Sequence, residues 1–150
     1  MSLHVAVCTG EVGMDKVVML PPRRVAYTTS FGDPSKSDAF IRLEQVVPLK
    51  GNRFYATFDP KTREYRACVA LRDGESSDRY GLPEFTIDGG PYASATLKGA
   101  YEDIVKLIAP TFEQLSAEHV VDAKRLSLEF YKQHTEIILY LPVDSAVEGG

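Results

Sequence analysis

One order of elements recurs in the two halves of this chain, and it constrains the fold more than any single motif does. Residues 24–30, Arg-Val-Ala-Tyr-Thr-Thr-Ser, are rich in β-branched and aromatic side chains and stop at Gly32, which predicts a strand. Asp33 then offers an N-cap with Pro34 at the first helical position, and Phe40, Leu43 and Val47 recur at helical spacing up to Pro48. Residues 54–58, a turn at Asp59-Pro60-Lys61-Thr62, and residues 65–71 read as a hairpin.

The same order returns downstream. Residues 92–97 predict a strand ending at Gly99, and Ile104, Leu107, Ile108 and Leu115 carry a helical pattern. Residues 125–131 and 136–141 form a second hairpin. The expected fold is α+β, built from duplicated β-α-β-β units with pseudo-two-fold symmetry whose antiparallel sheet forms a ligand groove. Pro110 falls inside the second helical pattern, where it removes a backbone hydrogen bond, so a kink or break is expected there. Residues 1–11 and 145–150 show little periodic pattern.

The chain of 150 residues suits one domain, 1–150, and no linker rich in Pro, Gly or Ser divides it. No stretch reaches the roughly 20 apolar residues of a membrane helix, and Met1-Ser2-Leu3-His4 lacks the basic start of a signal peptide. No membrane partner and a cytoplasmic location are expected. The net charge is −4, with dense basic spots only at Pro22-Arg23-Arg24 and Lys124-Arg125, which argues against nucleic acid as a partner.

No cofactor and no metal are expected. Cys8 and Cys68 stand far apart outside any zinc spacing, and His4, His119 and His134 share no ligand spacing. Both thiols read as buried or idle. No serine sits in a GxSxG elbow, and Gly89-Gly90 reads as a turn rather than a phosphate cradle.

The last hairpin carries the chemistry. Along a strand, Leu126, Leu128 and Phe130 share one face, while Arg125, Ser127, Glu129 and Tyr131 share the other. The apolar face is expected to pack on the helices, leaving Glu129 and Tyr131 about 7 Å apart in a groove. A carboxylate among tyrosines suits a cation, and an apolar pocket would raise its pKa into the range of a proton donor or acceptor. The plain alternative is a solvated Glu129 facing Lys or Arg across the sheet, and Tyr27, Tyr55, Tyr92 and Tyr101 can each be ordinary half-buried aromatics.

Several motifs in order resemble one family. Pro22-Arg23-Arg24-Val25-Ala26-Tyr27 with Gly32, Phe58-Asp59-Pro60, Ile87-Asp88-Gly89-Gly90-Pro91-Tyr92-Ala93 with Gly99 and Tyr101, and Leu128-Glu129-Phe130-Tyr131 with Tyr140-Leu141-Pro142-Val143 are similar to the GyrI-like effector-binding family. That family includes the ligand domains of AraC-type and bacterial multidrug-effector regulators. The resemblance covers about residues 17–143 and leaves no room for a DNA-binding helical domain, so it points to the stand-alone members.

The resemblance implies a groove between the two halves, lined by Glu129 and Tyr131, with Tyr55, Tyr27 and Tyr140 as further wall residues. Tyr55 ranks first among these because its hairpin pairs by pseudo-symmetry with the strand of Glu129. The implied partner is a hydrophobic or cationic small molecule, and the implied function is its sensing or sequestration. An alternative is hydrolysis of strained cyclopropane-type electrophilic natural products, with Glu129 in proton transfer and Tyr55 or Tyr131 orienting it. A second alternative is a topoisomerase-modulating interaction protein.

Overall fold

A computed structural model describes residues 11–144 of the chain, so Cys8 and His4 lie outside the described residues. Eight strands form one antiparallel sheet: β1 (Glu11–Leu20), β2 (Arg23–Phe31), β3 (Phe54–Asp59), β4 (Glu64–Ala70), β5 (Glu84–Ile87), β6 (Gly90–Lys98), β7 (Ser127–Gln133) and β8 (Glu136–Pro142). Their order across the sheet is β1-β6-β8-β7-β3-β4-β2-β5, and the sheet curls into a half-barrel. Three short helices accompany it: α1 (Ala39–Glu44), α2 (Tyr101–Ile104) and α3 (Ile108–Glu118). No helix among the described residues is long and apolar enough to cross a membrane.

Directly paired residues share a face, so the register sorts the sheet into two surfaces. One row runs Thr28, Ala67, Ala56, Glu129, Leu139, Ala95 across six strands, and the next runs Ala26, Val69, Phe54, Tyr131, Ile137, Leu97. This is the face that the helices cover. Ala39 and Leu43 of α1 are buried with Phe54, Ala56, Tyr65, Ala67 and Val69, while Ile104 of α2 is buried with Leu97, Ile137 and Leu139. Leu115 of α3 packs on Ala93, Ala95 and Leu141.

The opposite face carries its own apolar layer. Val25, Tyr55, Cys68, Ile87, Tyr92 and Leu128 are buried there, with Tyr27, Phe130 and Tyr140 packed against them. Here the structure reverses an expectation: Leu128 and Phe130 lie on the face away from the helices, and Glu129 and Tyr131 lie beneath them. The reason is that both faces are apolar, so the greasier side of one strand does not mark the side of the helices. Burial drives the Cys68 thiol well above its usual range, which fits an inert core residue.

The first helix is shorter than the apolar spacing suggested. Residues Pro34–Lys36 form a 3₁₀ turn in which Lys36 N donates to Asp33 O at 3.0 Å, and α1 starts only at Ala39. Ser37 Oγ accepts from Ala39 N at 3.0 Å, and Thr28 Oγ1 donates to Ala39 O at 2.7 Å, fixing that start against β2. The second helical pattern does break. The 3₁₀ turn Val105–Leu107 separates α2 from α3, and Pro110 sits in the first turn of α3, where a missing N–H leaves no bond unmade.

Candidate functional site

The alternation Leu128-Glu129-Phe130-Tyr131 turns two polar groups toward the helices, an uncommon choice for a covered face. Beside Glu129 in its row stand Ala56 and, one strand further, Ala67, both with no exposed surface. These small side chains leave the space above the carboxylate to aromatic rings arriving from three other elements.

Tyr131 Oη donates to Glu129 Oε1 at 2.5 Å. The hydroxyl of Tyr65, from β4, lies near that of Tyr131 and interacts with it electrostatically. Phe40 of α1 sets its edge against Tyr131 at 5.1 Å between ring centroids and against Tyr65 at 6.4 Å. Tyr101, the first residue of α2, stacks on His134 at 5.0 Å between ring centroids, is 39% exposed, and lies within electrostatic reach of Glu129.

Burial pushes the Glu129 carboxyl above its usual range, and the bond from Tyr131 offsets part of that rise. Burial also drives Tyr131 and Tyr65 well upward, with the negative charge of Glu129 as the next cause. Among the described residues no Lys, Arg or His pairs with Glu129. The solvated, cation-facing reading of Glu129 therefore does not describe this site. A half-buried carboxylate held by one phenol and walled by Phe40, Tyr65, Tyr101 and Tyr131 can take a cation against aromatic faces, or can gain and lose a proton.

The five residues expected at the site divide between the faces. Glu129 and Tyr131 come together, and Tyr55, Tyr27 and Tyr140 lie behind the sheet. Tyr55 stacks on Phe130 at 4.8 Å, Tyr27 meets Phe85 at 5.1 Å, and Tyr140 meets Tyr92 at 6.2 Å. Phe40, Tyr65 and Tyr101 were missed. Tyr65 was within reach of sequence reasoning, because it is two residues before Ala67, whose strand face is that of Glu129.

Two hollows of about 400 and 440 Å³ mark the surface, and neither is lined by Glu129, although Tyr131 lines the second. Among the described residues no three His, Cys, Asp or Glu side chains gather as a metal site.

No protein-family model matches the chain, and no curated protein does. Solved structures do share its fold. An integron cassette protein from the mobile metagenome of Vibrio cholerae is similar with a TM-score of 0.68 at 11% identity, over 89% of this chain and 99% of that one. SAV2435, in a structure bound to tetraphenylphosphonium, is similar with a TM-score of 0.60 at 11% identity, over 90% and 97% of the two chains. A hydrolase from Listeria innocua is similar with a TM-score of 0.57 at 12% identity, over 95% and 98%.

Proposed function

We propose that this chain is a small-molecule-binding domain of the GyrI-like type, which takes hydrophobic cations between α1 and α2 with Glu129 as their counter-charge. The observation that carries this reading is the carboxylate itself. Desolvating an ionised group costs several kcal/mol unless charge and hydrogen bonds compensate it, and here one phenol does so. A lipophilic cation would supply the missing charge and cover the rings of Phe40, Tyr65, Tyr101 and Tyr131. The tetraphenylphosphonium of SAV2435 has that chemistry.

We further read the strand order as a duplicated unit: β6-β8-β7 on one side of the centre matches β2-β4-β3 on the other, both counted inward. The duplication would put the site on the seam between the halves. Calorimetry with tetraphenylphosphonium beside neutral tetraphenylmethane tests the reading, which requires the cation to bind and the wild-type preference for it to vanish in Glu129→Gln.

A second reading rests on the hydrogen bond from Tyr131 to Glu129. A raised carboxyl held by a phenol can accept a proton from water attacking a strained electrophile, with Tyr131 orienting it. The hydrolase from Listeria innocua shares the fold. Turnover of a cyclopropane electrophile that fails in Glu129→Gln would establish it.

A further inference from the structure

Behind the sheet, where β2, β4, β3 and β7 end together, a group of cations stands apart from the Glu129 site. Pairing continues past the strand ends, with Ala70 N donating to Arg53 O at 2.9 Å and Leu71 N donating to Arg24 O at 2.9 Å. Continuing the register places Arg53 between Ala70 and Lys132 on the row of Val25, and sets Arg23 opposite Arg72 two residues further out on the same face. Arg23, Arg53 and Arg72 therefore project from the surface that carries Tyr55 and Phe130, and Lys132 sits beside them where the register of β7 shifts.

The two surface hollows adjoin here. The first, about 400 Å³, is lined by Arg23, Arg53 and Arg72 with Asn52 and Leu71; the second, about 440 Å³, by Asn52, Arg53, Phe130, Tyr131, Lys132 and Ile138. Because Asn52 and Arg53 line both, they form one trough, cationic at one end and apolar at the other. No carboxylate lines it, although the chain as a whole carries a net charge of −4.

The neighbouring carboxylates are committed elsewhere. Glu84 accepts from Arg24 Nε at 2.8 Å, and Glu75 accepts from Arg79 Nη1 at 2.5 Å and from Arg72 N at 2.9 Å. Lys132 Nζ lies 3.7 Å from Glu136 Oε2, and Arg72 Nη2 donates to Gly51 O. Among the described residues Arg23 and Arg53 make no ion pair. Like charges crowded around a hollow repel one another unless an anion enters, and guanidinium groups match phosphate oxygens in geometry as well as charge.

We infer that this trough is a second binding site, for a small phosphomonoester with a flat apolar body: the phosphate sits among Arg23, Arg53 and Arg72, and the body lies on Phe130 and Ile138. Glu129 lines neither hollow, and Tyr131 borders the trough at its apolar end.

The experiment is calorimetry of the full chain with 1-naphthyl phosphate, beside 1-naphthol and inorganic phosphate. The wild type binds 1-naphthyl phosphate more tightly than either fragment, and binding weakens as salt rises. Arg53→Gln and Arg23→Gln each lower its affinity about tenfold, the scale of one charge-assisted hydrogen bond, while Lys61→Gln at the far end of the β3–β4 hairpin leaves it unchanged. Saturating tetraphenylphosphonium leaves it unchanged as well. Equal binding of inorganic phosphate, equal loss in Lys61→Gln, no loss in either arginine variant, or competition with tetraphenylphosphonium overturns the assignment. Circular dichroism of each variant separates a lost site from a lost fold.

Discussion

Tyr131 and Glu129, two residues apart on β7, meet through a 2.5 Å hydrogen bond in which the phenol donates and the carboxylate accepts. Side chains at that spacing ordinarily stand side by side on a strand face without bonding. Here the bond exists because α1 closes over both, and Phe40 presses on the ring of Tyr131 at 5.1 Å. The phenol is the one donor recorded for a carboxylate that has little water and no cation beside it.

Removing that donor while keeping the ring isolates its contribution. Tyr131→Phe preserves the contact with Phe40 and leaves Glu129 unsupported, so its carboxyl titrates still higher than in the wild type. Affinity for a lipophilic cation at neutral pH falls by about 1 kcal/mol, the usual net value of one hydrogen bond. Side-chain carboxyl titration by NMR, with calorimetry on the same sample, checks both parts.

The pH dependence of stability follows from the direction of the Glu129 shift. Burial holds the folded-state value above the unfolded one, so between the two the folded chain binds more protons, and this group's contribution to stability is lost as pH rises. Glu129→Gln abolishes that loss. Its stability matches the wild type under acid conditions and exceeds it by about 1 kcal/mol or more at pH values above the raised carboxyl range. Urea unfolding over a pH series reads this directly, and a difference that stays constant with pH contradicts it.

Filling the floor of the site gives a test by volume rather than charge. Ala56 stands opposite Glu129 with no exposed surface, so Ala56→Leu pushes into the space beneath Phe40. The substitution costs about 1–3 kcal/mol of stability through overpacking, and it weakens cation binding without touching the carboxylate. Tyr55→Phe, on the other face, leaves cation affinity unchanged because Tyr55 stacks on Phe130 there. Isothermal titration of both variants with tetraphenylphosphonium distinguishes the faces.

These residues also show what the sequence could reveal. The alternation through Leu128, Glu129, Phe130 and Tyr131 separates a polar pair from an apolar pair without reference to anything outside the strand. Which pair the helices cover is a tertiary fact, because Tyr55, Tyr92 and Val25 give the far face an apolar layer of its own. β1 escaped notice because its register shifts between Met14 and Val17, which breaks the period of two. β5, at the sheet edge, has only four residues after Pro83, too few for alternation to register. Phe40 looked like one more core position on a helical stripe, and only its approach to Tyr131 and Tyr65 makes it a wall of the site.

The central claim is that Glu129 serves as an unpaired counter-charge, and Glu129→Gln tests it most directly because shape and hydrogen bonding are retained while the charge is removed. Calorimetry of wild type and variant against tetraphenylphosphonium and neutral tetraphenylmethane is the measurement. The account predicts that the cation loses about 1–3 kcal/mol of binding free energy in the variant while the neutral analogue is little changed. Equal affinity of both proteins for the cation, in a variant whose fold is intact, would contradict it.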